Sequence, residues 1–247
     1  MCAKRALPHT LTDDEFAALR FDEVRCTTCT PLCTKHMHYL YQDTVLWACQ
    51  EKLRKRFKMN EHAATEPVRL TLPLSRDDLA RLRIGDEVRL SGPVYTMRDA
   101  GHERALAALH ETGELPFGLA AQTLFYAGPT PAAAGRPLGS VGPTTASRMD
   151  FATPALMDAG IVACIGKGKR SPEVIEACRR NGAVYFAAVG GIAALFAKSV
   201  VESVDVAWAD LGTEALRRLE LKDFPVFVAV DAHGGDLYRA IERGETV

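Results

Sequence analysis

From residue 67 onward the chain alternates short apolar runs with stretches of helical spacing, and Gly, Pro or Ser/Thr/Asp clusters punctuate the change from one to the next. Val68 to Leu72 reads as a strand. Ser75-Arg-Asp-Asp78 has the form of a capping box opening a short helix, and Gly85 precedes a second strand, Glu87 to Leu90. Ser91-Gly-Pro-Val-Tyr-Thr-Met-Arg-Asp99 is a turn and strand running into a helix from about Asp99 to Glu111, with Ala105, Leu106 and Leu109 on its apolar face. Gln122 to Tyr126 is a further strand, and Gly128 to Gly135 a Pro/Ala/Gly loop.

Beyond that loop the alternation becomes regular. A helix is expected from about Ser147 to Ala159, then a buried strand from Ile161 to Ile165. Ser171-Pro172 opens the next helix, with Ser as cap and Pro at its first position. Ala183 to Ala187 is a strand, Gly190-Gly191 a turn and Ile192 to Val201 a helix. Val204 to Ala207, Ala215 to Arg218 and Val226 to Val230 continue the series. Strand and helix in turn imply crossover connections, hence an α/β fold with a largely parallel sheet in its second half. The first half is expected to be more antiparallel.

Composition narrows the class without naming a function. With 247 residues, 47% hydrophobic and 25% charged, the chain has the make-up of a soluble globular protein of one large or two small domains. A net charge of −1 gives no argument for nucleic acid or membrane binding. The longest apolar run, Ala183 to Ala197, is too short for a membrane span and is broken by Gly190-Gly191. No secretory signal is visible, and seven cysteines, an odd number, argue for reduced thiols and a cytoplasmic setting.

Residues 1–66 stand apart as an N-terminal extension, with 67–247 as the main domain. Residues 1–58 carry ten Lys/Arg against seven Asp/Glu, or +3, leaving −4 for the rest. Within them Cys26, Cys29, Cys33 and His36 are candidate zinc ligands, since thiolates and imidazole at such spacing suit that ion. A redox pair is the other reading of the CxxC. The polar stretch after Met59 has the look of a protein's own start, so that methionine is an alternative beginning for the chain.

The densest chemistry lies in Gly142-Pro-Thr-Thr-Ala-Ser-Arg-Met-Asp150. Glycine and proline set a turn, and Thr144 and Thr145 fall where a helix offers unpaired backbone N–H groups. Arg148, four residues after Thr144, shares its helix face, so hydroxyls, N–H groups and a guanidinium converge in a carboxylate or phosphate site. Strand-to-helix turns gather at the carboxyl edge of such a sheet, which brings in Gly166-Lys-Gly-Lys169 and Val189-Gly-Gly191. Arg148 and Lys167 there suit a small dicarboxylate. Nucleotide motifs are incomplete: Ser171 stands where a dinucleotide fingerprint has its third glycine, and Gly166-Lys167 is followed by Gly168 rather than Ser or Thr.

With Ser91–Asp99, Phe125-Tyr-Ala-Gly-Pro129, Tyr185-Phe-Ala-Ala-Val-Gly-Gly191, Asp210-Leu-Gly-Thr-Glu214 and Asp231-Ala-His-Gly-Gly-Asp236, that stretch resembles the C-terminal domain, or β subunit, of class I fumarases and L-tartrate dehydratases. The resemblance runs from about Pro67 to Tyr238. It implies a swivelling β/β/α domain of a hydro-lyase interconverting fumarate and L-malate, with L-tartrate as the alternative substrate. It implies that Arg98, Arg148 and Lys167 hold substrate carboxylates, that Thr144 is the base and that Thr145 binds substrate. It further implies a four-iron four-sulfur (4Fe-4S) cluster on a partner α subunit, in an α2β2 assembly. The non-enzymatic alternative is a binding domain with the Cys-rich extension as a zinc-held interaction module.

Overall fold

A computed structural model describes residues 66–132 and 134–245. The expectations placed on residues 1–65, the zinc candidates among them, lie outside the described residues. Seven strands, β1 (Val68–Thr71), β2 (Glu87–Thr96), β3 (Thr123–Phe125), β4 (Ala163–Gly166), β5 (Val184–Ala187), β6 (Val200–Ala207) and β7 (Leu216–Val230), form one sheet. Among the described residues six α-helices accompany them: α1 (Arg76–Arg81), α2 (Asp99–Thr112), α3 (Thr153–Asp158), α4 (Pro172–Asn181), α5 (Ala193–Phe196) and α6 (Leu237–Glu242).

The sheet is mixed, but not in the expected order. β1 to β5 are parallel neighbours in sequence order, so the first half is parallel as well, and the antiparallel pairings come from the last two strands. β7 is one continuous strand where two were expected. It lies antiparallel to β5 and β6 on one side and to β2 along nearly the whole of β2 on the other. The β2–β7 pairing closes β2, β3, β4, β5 and β7 into a barrel-like ring, leaving β1 and β6 as flanking strands.

Alternation along the strands explains the two cores. Phe125, Ile165, Phe186 and Val228 point to a cluster to which every strand contributes, while Leu124, Cys164, Tyr185 and Ala229 point to a second cluster shared with α2, α3 and α4. In the first, Phe224 meets Phe125 edge-on at 5.3 Å and Phe196 at 4.6 Å. Such aromatic pairs add about 0.5–1.5 kcal/mol beyond their burial.

Local signals set most boundaries. Ser75 Oγ accepts the Asp78 N–H at 3.0 Å and Asp78 Oδ2 accepts the Ser75 N–H at 3.2 Å, a complete capping box. Ser171 stands at the N-cap position of α4 without a side-chain capping hydrogen bond, and Pro172 takes the first helical position. Two helices are shorter than expected. The one placed at Ser147–Ala159 is a 3-10 turn, Ala146–Met149, followed by α3, because Pro154 has no N–H to continue a helix through that point. The one placed at Ile192–Val201 ends early because the β-branched Val200 and Val201 start β6.

Candidate functional site

Strands β2 to β5 run parallel, so their carboxyl ends share one edge. Arg98 follows β2, Gly128 follows β3, Lys167 follows β4 directly and Gly190 follows β5. The same alternation that makes the sheet therefore delivers these side chains to neighbouring turns.

Thr144 and Thr145 arrive there by strand-like pairing, not as the opening of a helix. The Thr144 N–H donates to the Tyr126 carbonyl at 2.6 Å, the Lys167 N–H to the Thr144 carbonyl at 3.1 Å and the Ala146 N–H to the Lys167 carbonyl at 2.8 Å. Thr145 and Lys167 thus form an isolated parallel bridge. This corrects the expectation of a helix opening at Thr144: its N–H group is used in the pairing, as is that of Ala146, and only a four-residue 3-10 turn follows. The Thr144 and Thr145 hydroxyls have no hydrogen-bond partner among the described residues. Gly142 is required by close approach rather than by its φ, because a Cβ there would lie 2.9 Å from Ala193 Cβ.

Lys167 is exposed and lies across Gly190, where an added Cβ would come within 3.3 Å of its Cδ and 3.7 Å of its Nζ. Among the described residues it has no ion-pair partner. The two arginines are arranged differently. Arg148 is paired with Asp99, Nε donating to Oδ1 at 2.9 Å and Nη2 lying 2.8 Å from Oδ2, an oxygen that accepts no hydrogen bond among the described residues. Arg98 Nε stands 3.9 Å from that same Oδ2, and its Nη2 3.5 Å from Glu214 Oε1. Asp99, which reads in the sequence as the partner of its neighbour Arg98, is therefore bound chiefly by a residue 49 positions away.

His102 anchors the start of α2 from within. Its backbone N–H and its ring Nδ1–H both donate to the Arg98 carbonyl, at 2.8 and 2.7 Å. The ring is fully buried, edge-on to Tyr126 at 5.1 Å, and Nε2 has no partner among the described residues. Burial pushes its pKa down to about 4, against the pull of the Arg98 carbonyl, so the ring is neutral.

Beneath the two loops lies a buried ion pair that the sequence reading did not single out. Arg170 donates through Nε to Asp150 Oδ1 at 2.7 Å and through Nη2 to Thr153 Oγ1 at 2.8 Å. Its guanidinium carbon lies over the rings of Tyr126 and Tyr185, 5.2 and 4.8 Å from their centroids. Thr153 gives its one proton to the Met149 carbonyl at 2.8 Å, so the Tyr126 hydroxyl is the donor in their 3.0 Å contact. The Tyr185 hydroxyl donates to the Gly168 carbonyl at 3.0 Å, tying the Lys167 loop to this platform. In sequence Arg170 is one cation in a Lys/Gly-rich loop; nothing local marks it as buried.

Asp231 and His233 lie at the opposite, amino-terminal edge, beyond the Tyr185–Val230 pairing. The Asp231 carboxylate accepts the N–H groups of Ile84, His233 and Gly235, which makes it a turn-former. No group of His, Cys, Asp and Glu among the described residues is arranged to hold a metal. Cys164 and Cys178 are buried in the core, burial raising the Cys178 thiol to about 12, so neither fits as a ligand of an iron–sulfur cluster. No helix of the described residues is long and apolar enough to cross a membrane.

Comparison with known proteins finds one family along most of the described chain. A family described as Fumarase C-terminus matches residues 43–241, beginning inside the stretch that the sequence reading assigned to the extension. The anaerobic class I fumarate hydratase of Escherichia coli K12 is 35% identical over 165 residues, 66% of this chain and 30% of the relative. Fumarate hydratase 2 of Leishmania major is 34% identical over 183 residues, 72% of this chain and 32% of the relative. The L(+)-tartrate dehydratase subunit beta of E. coli K12 is 34% identical over 173 residues, 68% of this chain and 85% of the relative. The chain thus spans about a third of the length of the fumarate hydratases it matches and most of that of the tartrate dehydratase subunit.

Proposed function

Because the chain belongs to the Fumarase C-terminus family, we propose that it supplies the dicarboxylate-binding half of a hydro-lyase site, with fumarate and L-malate as the reacting pair. What supports this reading is that Arg98, Arg148 and Lys167 lie on turns at one sheet edge, together with two threonine hydroxyls that have no hydrogen-bond partner among the described residues. Three cations on adjacent turns match a ligand with two carboxylates.

In the dehydration direction a base removes a proton from C3, and that electron pair forms the double bond as the C2–O bond breaks and the hydroxyl, protonated by an acid group that the partner α chain would supply, leaves as water. Arg98, Arg148 and Lys167 bind the carboxylates and stabilise the negative charge that builds on the carboxylate next to C3. Thr144 takes the C3 proton. A neutral threonine hydroxyl is a weak base, so its alkoxide needs a cation nearby. With only a short 3-10 turn following, that task falls to the cations of the site, among them Lys167, which is bridged to the neighbouring Thr145. Thr145, bridged to Lys167, binds substrate beside it.

The described residues offer no ligand set for the iron–sulfur cluster that the resemblance implies. The reading therefore assigns the cluster to a partner α chain that covers the exposed edge. A second reading keeps the site and takes L-tartrate as substrate. It is favoured by coverage: the chain spans 85% of a tartrate dehydratase β subunit but about a third of the fumarate hydratases.

Anaerobic assay of this chain with its cluster-bearing partner, each alone and mixed, tests both. Activity with fumarate and L-malate in the mixture alone, abolished by Thr144→Ala, is the expected result. Turnover of L-tartrate instead would transfer the assignment to the second reading. An inert mixture with an intact cluster would remove the hydro-lyase reading.

A further inference from the structure

Resting on that reading of the site, the geometry points to Asp99 and Glu214 as positioning residues that hold Arg98 and Arg148 as one two-guanidinium receptor. Arg148 spends its Nε edge on Asp99, with a hydrogen bond from Nε at 2.9 Å and an ion contact from Nη2 at 2.8 Å. That leaves the Nη1 group and the outer Nη2–H, the end-on fork suited to a second carboxylate. Nearly half of the side chain is exposed, so this fork faces outward.

Arg98 is held without being consumed. Its contacts with Asp99 and Glu214, at 3.9 and 3.5 Å, are too long for good hydrogen bonds, and its Nε is buried with no hydrogen-bond partner among the described residues. Its position is set from three sides. His102 takes its carbonyl, Gly128 leaves room for its Nη1 and Cδ at 3.1 and 3.2 Å from a would-be Cβ, and Glu214 sits at its Nη2. Glu214 Oε2 also accepts the Ala100 N–H at 3.0 Å, capping α2 where the Arg98 side chain makes no cap. One carboxylate thus fixes both the start of the helix and the cation that precedes it.

Both guanidiniums approach a single oxygen, Asp99 Oδ2. Without that carboxylate two like charges would stand close together and their long side chains would separate. Simple charge counting says the reverse about binding, since removing an anion from an anion site should strengthen it. The sign of the effect therefore separates positioning from mere charge.

The experiment uses the isolated chain with 15N/13C-arginine, titrated with L-malate and, as a one-carboxylate control, with acetate. In the wild type the Nε–H signals of Arg98 and Arg148 are expected to shift at the same L-malate concentration and to respond weakly to acetate. Asp99→Asn should broaden the Arg148 signal and raise the L-malate concentration needed roughly tenfold or more, since a bidentate charge-assisted contact is lost. Glu214→Gln should act in the same direction on Arg98, and Asp99→Glu should restore part of the loss. In the mixture with the α partner the same variants should raise KM and also lower kcat, because the two arginines both bind the carboxylates and stabilise the charge that builds on them, and Asp99→Glu should restore part of both. L-malate affinity unchanged or tighter in Asp99→Asn, or an Arg148 signal as sharp as in the wild type, overturns the inference while leaving the site intact. No wild-type shift with L-malate overturns the dicarboxylate site itself, and this inference with it.

Discussion

Arg148 and Arg170 sit on the two loops joined by the Thr145–Lys167 bridge, and each faces an aspartate at close range. Arg148 holds Asp99 with 48% of its side chain exposed, whereas Arg170 holds Asp150 with none exposed. Arg170 has a second acceptor in Thr153 and contacts two aromatic rings, so its guanidinium is committed to several groups. Arg148 contacts Asp99 by one edge only. The pair chemistry is the same; the number of remaining donors differs. That number, rather than the presence of an aspartate, distinguishes an arginine that holds the fold from one that can hold a ligand.

The most severe way to probe the contrast is Arg170→Met. It leaves Asp150 inside the protein without its cation, and loss of one member of a buried pair is expected to lower the unfolding free energy by about 3–5 kcal/mol. Urea denaturation measures this, and adding Asp150→Asn should recover part of it. A loss below about 1 kcal/mol would place Arg170 with surface pairs instead. Thr144→Ala is the opposite case: urea stability near that of the wild type, and turnover of the assembled enzyme reduced roughly 10²–10⁴-fold, the usual range for a lost general base.

His102 sharpens the comparison through pH, because it is buried against Tyr126 of the Arg170 platform yet holds the backbone of Arg98. Its folded pKa of about 4 lies below the unfolded value of 6.5. Its contribution is thus complete above pH 6.5 and is lost as pH falls from 6.5 towards 4, by about 3 kcal/mol in all. Urea midpoints of wild type and His102→Asn across that window should converge as pH falls, and parallel curves would remove His102 as the cause. Arg148→Ala should cost roughly a hundredfold in kcat/KM but less than about 1 kcal/mol of stability, being an exposed pair. The smallest effect is expected at Arg180–Asp158, also paired at 2.7–2.8 Å and largely exposed. Asp158→Asn should change stability by under about 1 kcal/mol and leave turnover unaltered, which would show that pair geometry alone predicts neither role.

Much of the fold was legible in the chain. The capping box at Ser75, the Ser171-Pro172 helix start and the buried strands around Ile165 and Phe186 depend on neighbours in sequence, and they stand where the pattern put them. The alternation of strand and helix also set Arg98, Lys167 and the Gly190 turn at one sheet edge, since parallel strands with crossovers leave little choice. Breaks came where a distant partner intervened. Thr144 looked like the start of a helix because Gly-Pro-Thr-Thr is a good start signal, but its backbone pairs with Tyr126 and Lys167 instead.

By itself, then, the sequence determined the family, the order of elements and which turns carry cations, because periodicity, caps and motifs act over a few residues. Only the tertiary structure decided that β7 returns to β2 and closes the ring, since that pairing joins segments some 130 residues apart. It also decided which cations are committed. Arg148 and Arg170 are the same residue type on adjoining loops, and nothing within a few positions of either one specifies the rings, hydroxyls and carboxylates packed around it. Burial and the count of partners are properties of what the rest of the chain brings near, and they separate the platform from the site.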